Sequence, residues 1–180
     1  MKILAISGSL RAASTNTALL RAAALLAPAG VEINLFQGLG DLPHFNPDLE
    51  DAEPPAVTNL RVRLREAGGL LFAVPEYAHG VPGALKNLLD WLVSAEEFIY
   101  KPVALLNASP RATHAQASLR ETIQTMSGRI VEEASIAVPL LGRPLDPAAI
   151  AADPELSLLL REAVAAFARA IEALPRLDLG

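Results

Sequence analysis

The stretch that decides the fold is Ile3-Leu4-Ala5-Ile6 followed by Ser7-Gly8-Ser9-Leu10-Arg11-Ala12-Ala13-Ser14-Thr15-Asn16-Thr17. Four consecutive apolar residues suit a strand covered on both faces. Beyond Thr17, Leu19, Leu20, Ala23 and Leu26 fall on one face of a helix. Strand, Gly/Ser-rich turn and helix together are the sequence form of an anion site. Unpaired N–H groups at a helix N-terminus point outward, and the helix dipole favours negative charge there. Gly8 is expected to let the backbone turn tightly. Ser9, Ser14, Asn16 and Thr17 supply short polar side chains, and Arg11 supplies a planar, permanently charged fork suited to phosphate. The plainer alternative is that Ser14 or Asn16 caps the helix and Arg11 is solvated. Five phosphate-competent side chains within nine positions, directly after a first strand, favour a bound phosphate monoester.

Working outward, apolar runs recur at 31–36, 70–74, 103–106 and 136–138. Between them lie helical periods: Val57, Leu60, Leu64 and Ala67; Leu85, Leu88, Leu89 and Leu92; Leu119, Thr122, Ile123 and Met126. A last one carries Leu156, Leu159, Leu160, Ala163, Phe167, Ile171 and Leu174. Five strands alternating with five helices predict a doubly wound α/β sheet with helices on both faces. Gly38 to Pro55 and Leu140 to Pro154 read as Pro-rich connections. Arg61, Arg63, Arg65 and Glu66 read as a solvated helix face. A boundary in either connection leaves fragments too small to fold alone, so 1–180 is expected to be a single domain.

Composition narrows the partners. A net charge of −5 argues against a nucleic-acid surface, which needs clustered excess cations. The chain has no Cys, which excludes disulfides, zinc–thiolate centres and a thiol nucleophile, and with it the low-molecular-weight tyrosine phosphatase mechanism. His44, His79 and His114 lack metal-ligand spacing. The first apolar run stops at Ser7, too short for a signal-peptide core, and no run approaches a bilayer span of about 18 residues. A soluble, cytoplasmic protein without membrane contact is expected.

In open α/β sheets, ligands sit beyond the carboxyl ends of the strands where the winding reverses. In the strand order 2-1-3-4-5, the loops after strands one, three and four are neighbours: 7–17, 75–83 and 107–114. These three are enriched in Gly, Ser, Pro, Asn and Arg, which points to one ligand touching all of them. The second reads Pro75-Glu76-Tyr77-Ala78-His79-Gly80-Val81-Pro82-Gly83, with Pro82 placed for the first turn of the next helix. Such a rigid loop can meet the polar edge of a flat heterocycle, with Tyr77 as an apolar flank; alternatively Tyr77 is packing and His79 a surface residue.

Together, the first two loops resemble the NADPH-dependent FMN reductase family, the flavodoxin-like group that includes bacterial quinone, chromate and azo-dye reductases. The first motif is Gly8-Ser9-Leu10-Arg11 with Ser14 and Asn16. The second is Pro75-Glu76-Tyr77, then Pro82-Gly83-Ala84-Leu85-Lys86-Asn87 and Asp90-Trp91. The resemblance implies a flavodoxin-like fold and a noncovalent FMN. Ser9, Arg11, Ser14, Asn16 and Thr17 would hold its phosphate. Pro75, Glu76, Tyr77, Ala78, His79 and Gly80 would line the isoalloxazine, and Ser109 and Arg111 in Asn107-Ala108-Ser109-Pro110-Arg111 would close the other side. Two departures stand out: Ala78 and Gly80 where many relatives carry Asn and Ser, and a third loop less rich in Gly.

The implied activity is ping-pong hydride transfer from NADPH (or NADH) through flavin N5 to a quinone, free flavin or similar small electron acceptor, with no catalytic side chain required. Arg111 is a candidate for the extra phosphate of NADPH, or else a solvated loop arginine. The family implies a homodimer or homotetramer, for which the helix around Leu85–Val93, with Trp91, Phe98 and Tyr100, is either the surface or ordinary core. A flavodoxin-type electron carrier and a flavin-binding regulatory module remain as alternatives.

Overall fold

Along each central strand, side chains alternate between two separate cores, one on each face of a parallel sheet. The computed structural model describes residues 1–140 and 146–174. Its strands are β1 (Lys2–Ser7), β2 (Glu32–Leu35), β3 (Gly69–Ala73), β4 (Pro102–Asn107), β5 (Arg129–Ile130) and β6 (Ile136–Ala137). The order is β2-β1-β3-β4-β5, with β6 also on β4, the flavodoxin-like winding. The helices are α1 (Thr15–Leu25), α2 (Pro55–Glu66), α3 (Gly83–Trp91), α4 (Thr113–Thr125), α5 (Pro147–Ala152) and α6 (Pro154–Ala173).

Leu4, Ile6, Leu70, Phe72, Val103 and Leu105 point to the face covered by α2, α3 and α4. Ile3, Ala5, Leu71, Ala73, Ala104 and Leu106 point to the face covered by α1, α5 and α6. The second face is paved with small residues, and α1 answers with buried Ala22 and Ala23, so helix and sheet approach closely. Gly69 shows how tightly α6 is seated: a Cβ there would lie 2.8 Å from both Phe167 Cζ and Ile171 Cδ1.

The connection after β2 is less polar in practice than its Pro and Asp content suggests. Leu39 and Leu42 are buried in the first core, and Phe45 and Leu49 pack against it. The expected solvated face of α2 is only partly so, because Arg61 pairs with Glu53 at 3.1 Å and Arg65 with Glu97. Lys101 Nζ donates to the Leu64 and Ala67 carbonyls at 3.1 and 2.8 Å, closing the C-terminal end of α2. Burial lowers its pKa below the usual lysine range, against the opposing pull of Glu97. Of the expected connection at 140–154, residues 147–152 are helix α5; 141–145 lie outside the described residues.

The fifth strand differs from expectation. In place of one run at 136–138, β5 pairs with Pro102–Val103 and β6 with Leu106–Asn107. Glu132 and Glu133, both exposed, start a short 3-10 turn between them. Two carboxylates cannot continue into a strand covered on both faces, and Glu132 turns outward to Arg120 at 2.7 and 2.8 Å. Ser135 fills the gap: its hydroxyl accepts the Leu105 N–H at 3.1 Å and donates to the Val131 carbonyl at 2.8 Å. Ser135→Ala strands that N–H and is expected to cost about 1–3 kcal/mol in urea denaturation; an unchanged midpoint would contradict this role.

Candidate functional site

The register sets three loops at one level. Ser7 lies opposite Ala73, and Ala73 opposite Leu106, so the chain leaves β1, β3 and β4 side by side at the carboxyl edge of the sheet. The order reverses between β1 and β3, which opens the crevice there.

In the first loop, the chain bends at Gly8 without a left-handed backbone; the only glycine with positive φ among the described residues is Gly30. Gly8 also donates to the Ala73 carbonyl at 2.9 Å, and a Cβ on it would lie 3.0 Å from Val74 Cγ1. Its role is close approach, which seats the first loop against the second. Ser7, buried at the strand end, bonds Thr17 Oγ1 at 2.8 Å and accepts the Ser9 N–H at 3.3 Å. Ser9 Oγ in turn accepts the Arg11 N–H at 3.3 Å. Ser14 is the N-cap of α1 and accepts the Thr17 N–H at 3.3 Å. Capping and ligand binding are therefore not rivals: the cap uses one donor and leaves the N–H groups of Thr15 and Asn16 at the head of the helix. Asn16 is 8% exposed, and its buried Oδ1 has no hydrogen-bond partner. Arg11 is exposed and makes no ion pair among the described residues.

In the second loop, Tyr77 and Gly80 exchange N–H···O bonds of 3.1 and 3.0 Å around Ala78 and His79. Both central residues have positive φ, 48° and 61°, as a type I′ turn requires. Tyr77 is exposed, and Pro82 precedes the helix as N-cap residue rather than sitting in its first turn. The third loop copies the first: Asn107 Oδ1 accepts the Ser109 N–H at 3.0 Å, and Ser109 Oγ accepts the Arg111 N–H at 3.3 Å. Glu76 joins loops two and three by accepting the Ala115 N–H at 2.9 Å, which supplies α4 with the N-terminal acceptor that Ala112 lacks. The rings of His79 and His114 stack across the same gap.

The remainder of the second motif works elsewhere. Asn87 accepts the Phe45 N–H at 2.8 Å and donates to the Pro43 carbonyl at 2.9 Å; Trp91 Nε1 donates to that carbonyl at 2.8 Å. Lys86 pairs with Asp90 one turn away. Asn87 and Trp91 thus clamp the connection after β2 onto α3. Trp91 and Phe98 are each 1% exposed and belong to the core, so neither is free to supply a partner surface. Among the candidates, Ser9, Arg11, Ser14, Asn16 and Thr17 converge at the head of α1, and 75–80 with Ser109 and Arg111 form the neighbouring loops. Ser7 and His114 were missed as site-forming residues; a lone polar residue ending an apolar strand was the available signal for Ser7.

The family model described as NADPH-dependent FMN reductase matches residues 1–140. The chain is 42% identical over 129 residues to an NAD(P)H-dependent FMN reductase of Pseudomonas aeruginosa, covering 68% of this chain and 69% of that one. It is 28% identical over 154 residues to a quinone reductase of Escherichia coli, covering 82% of each. Among solved structures, the flavoenzyme NAD(P)H:(acceptor) oxidoreductase FerB of Paracoccus denitrificans superimposes with a TM-score of 0.78 at 29% identity, covering 95% of this chain and 97% of that one.

The left-handed turn is held at a cost, since a residue with a Cβ loses about 1–2 kcal/mol there, whereas Asn tolerates it. Ala78→Asn is therefore expected to raise stability by about 0.5–1 kcal/mol in thermal or urea unfolding. A lower midpoint would show that the turn is not strained at this position.

Proposed function

The chain belongs to the NADPH-dependent FMN reductase family, and from that premise we propose that the crevice at the head of α1 is its flavin site. Membership makes it an FMN-dependent NAD(P)H oxidoreductase. The observation that carries the site assignment is Asn16. A buried acceptor without a donor costs about 1–3 kcal/mol, which a ligand hydroxyl recovers on binding. The free N–H groups beside it and the Arg11 guanidinium call for an anion instead. A phosphorylated polyol satisfies both demands, and the ribityl phosphate of FMN is one.

Ser9, Arg11, Ser14, Thr17 and the N–H groups of Asn16 then hold the phosphate, with Thr17 oriented by its bond to Ser7, while Asn16 Oδ1 accepts from a ribityl hydroxyl. The backbone of 75–80 lines the ring, and the third loop closes the other side with Ser109 and Arg111. FMN held there would supply a two-electron centre for hydride transfer between a nicotinamide and a small acceptor. The protein holds the ring and leaves one face open, so donor and acceptor use one place in turn. Quinones, free flavins and similar small electron acceptors fit that arrangement, as does ping-pong kinetics. Arg111, exposed at the carboxyl edge, is the residue proposed to receive the extra phosphate of NADPH.

The proposal extends to a homodimer or homotetramer in the cytoplasm. Apolar side chains left exposed around the end of α3, at Val93, Ile99 and Tyr100, support the association. Among the described residues, no helix is long and apolar enough to cross a membrane.

The first measurement is the visible spectrum of the purified protein before and after anaerobic NADPH. A flavin spectrum that bleaches, with FMN released on denaturation, is expected; Arg11→Ala should bind FMN about tenfold to a hundredfold more weakly, as loss of a charge-assisted hydrogen bond implies. No flavin uptake after incubation with FMN would end the site assignment.

In steady-state kinetics with a quinone, double-reciprocal lines should be parallel, and Arg111→Ala should raise KM for NADPH about fivefold to tenfold while leaving KM for NADH alone. Intersecting lines would replace the single-place scheme, and an unchanged KM for NADPH would remove Arg111 from it.

A further inference from the structure

The second and third loops are joined by contacts that lie outside the sheet. One is the Glu76–Ala115 hydrogen bond at 2.9 Å. The other is the face-to-face stack of His79 on His114, with ring centroids 4.2 Å apart and planes 18° apart. His79 is also the second of the two residues forced into the left-handed region, at φ 61° after 48° for Ala78. Residues with a Cβ persist there only where their surroundings hold them. The paired bonds of Tyr77 and Gly80 hold the base of the turn. The contact given to its tip is the His79 ring on the His114 ring.

Resting on the flavin site proposed above, we propose that His114 is a positioning residue: its stack on His79 fixes the Ala78–His79 turn in the shape the isoalloxazine meets. His114 sits in the first turn of α4, and that helix is itself tied to the second loop through Glu76, so the ring has a rigid base. The two flat rings stack face to face as aromatic side chains do, and the stack spans the gap between the tip of the second loop and the start of α4.

The test measures FMN dissociation constants by quenching of flavin fluorescence for the wild-type protein, His114→Ala and His114→Phe. Losing the stack should weaken FMN binding about threefold to tenfold in His114→Ala, and a phenyl ring, which keeps a flat stacking face, should restore it. A role for His114 other than ring stacking, such as hydrogen bonding by its nitrogens at the start of α4, would not be rescued by Phe. Where His114→Ala fails to fold, His114→Gln removes the ring and makes the same comparison. Equal dissociation constants for the wild-type protein and the ring-deleted variant overturn the proposal while leaving the flavin site standing. A wild-type protein that binds no FMN overturns both.

Discussion

The ligand edge depends on the absence of one side chain. Gly8 passes so close to Val74 that a Cβ would stand 3.0 Å from its Cγ1, 3.3 Å from Leu85 Cδ2 and 3.4 Å from Pro75 Cδ. That approach lets the first loop continue the β1–β3 ladder for one more bond, to the Ala73 carbonyl, before it leaves the sheet. The polar chain from Ser7 through Ser9 to Arg11 begins there, as does the rigid run from Pro75 to the left-handed turn. A methyl group at position 8 would require Val74 and Leu85 to give way by a few tenths of an ångström where the two loops meet.

From this constraint the rest follows as a division of labour between backbone and side chains. Small polar residues are used mostly to shape the main chain: Ser7, Ser9, Asn107 and Ser109 each accept an N–H two residues on. The groups left over are donors at the head of α1, one unpartnered amide oxygen and two exposed arginines. A cofactor that carries its own reactivity needs little more from its protein than such a shaped and partly unsatisfied surface.

Much of this was legible in the sequence because the signals are local. Near-continuous apolar runs marked β1, β3 and β4, and helical periods marked α1 to α4 and α6. The three loops were picked out by composition. What was not legible depends on contacts between distant residues. A bend at Gly8 was legible from the residue type; only the packing of Val74 and Leu85 shows that it also serves proximity. Trp91 and Asn87 belong to a motif associated with the site, yet they clamp Pro43 and Phe45, residues over forty positions away. The split of the last strand was hidden because Arg129–Ile130 is too short to form an apolar run, and its partner strand alone decides that it pairs. Helix α5 was obscured by prolines that in fact start helices, with Asp146 and Asp153 as caps.

The broken fifth strand also bears on how the molecule keeps to itself. A long open strand edge is a template on which another chain can add. Here one margin of the sheet is two pairs of residues separated by a turn that carries two exposed carboxylates, and the other is the four-residue β2, which begins with Glu32. Among the described residues, neither margin offers a long run of regular strand edge. Short and interrupted edges of this kind disfavour growth of the sheet from molecule to molecule.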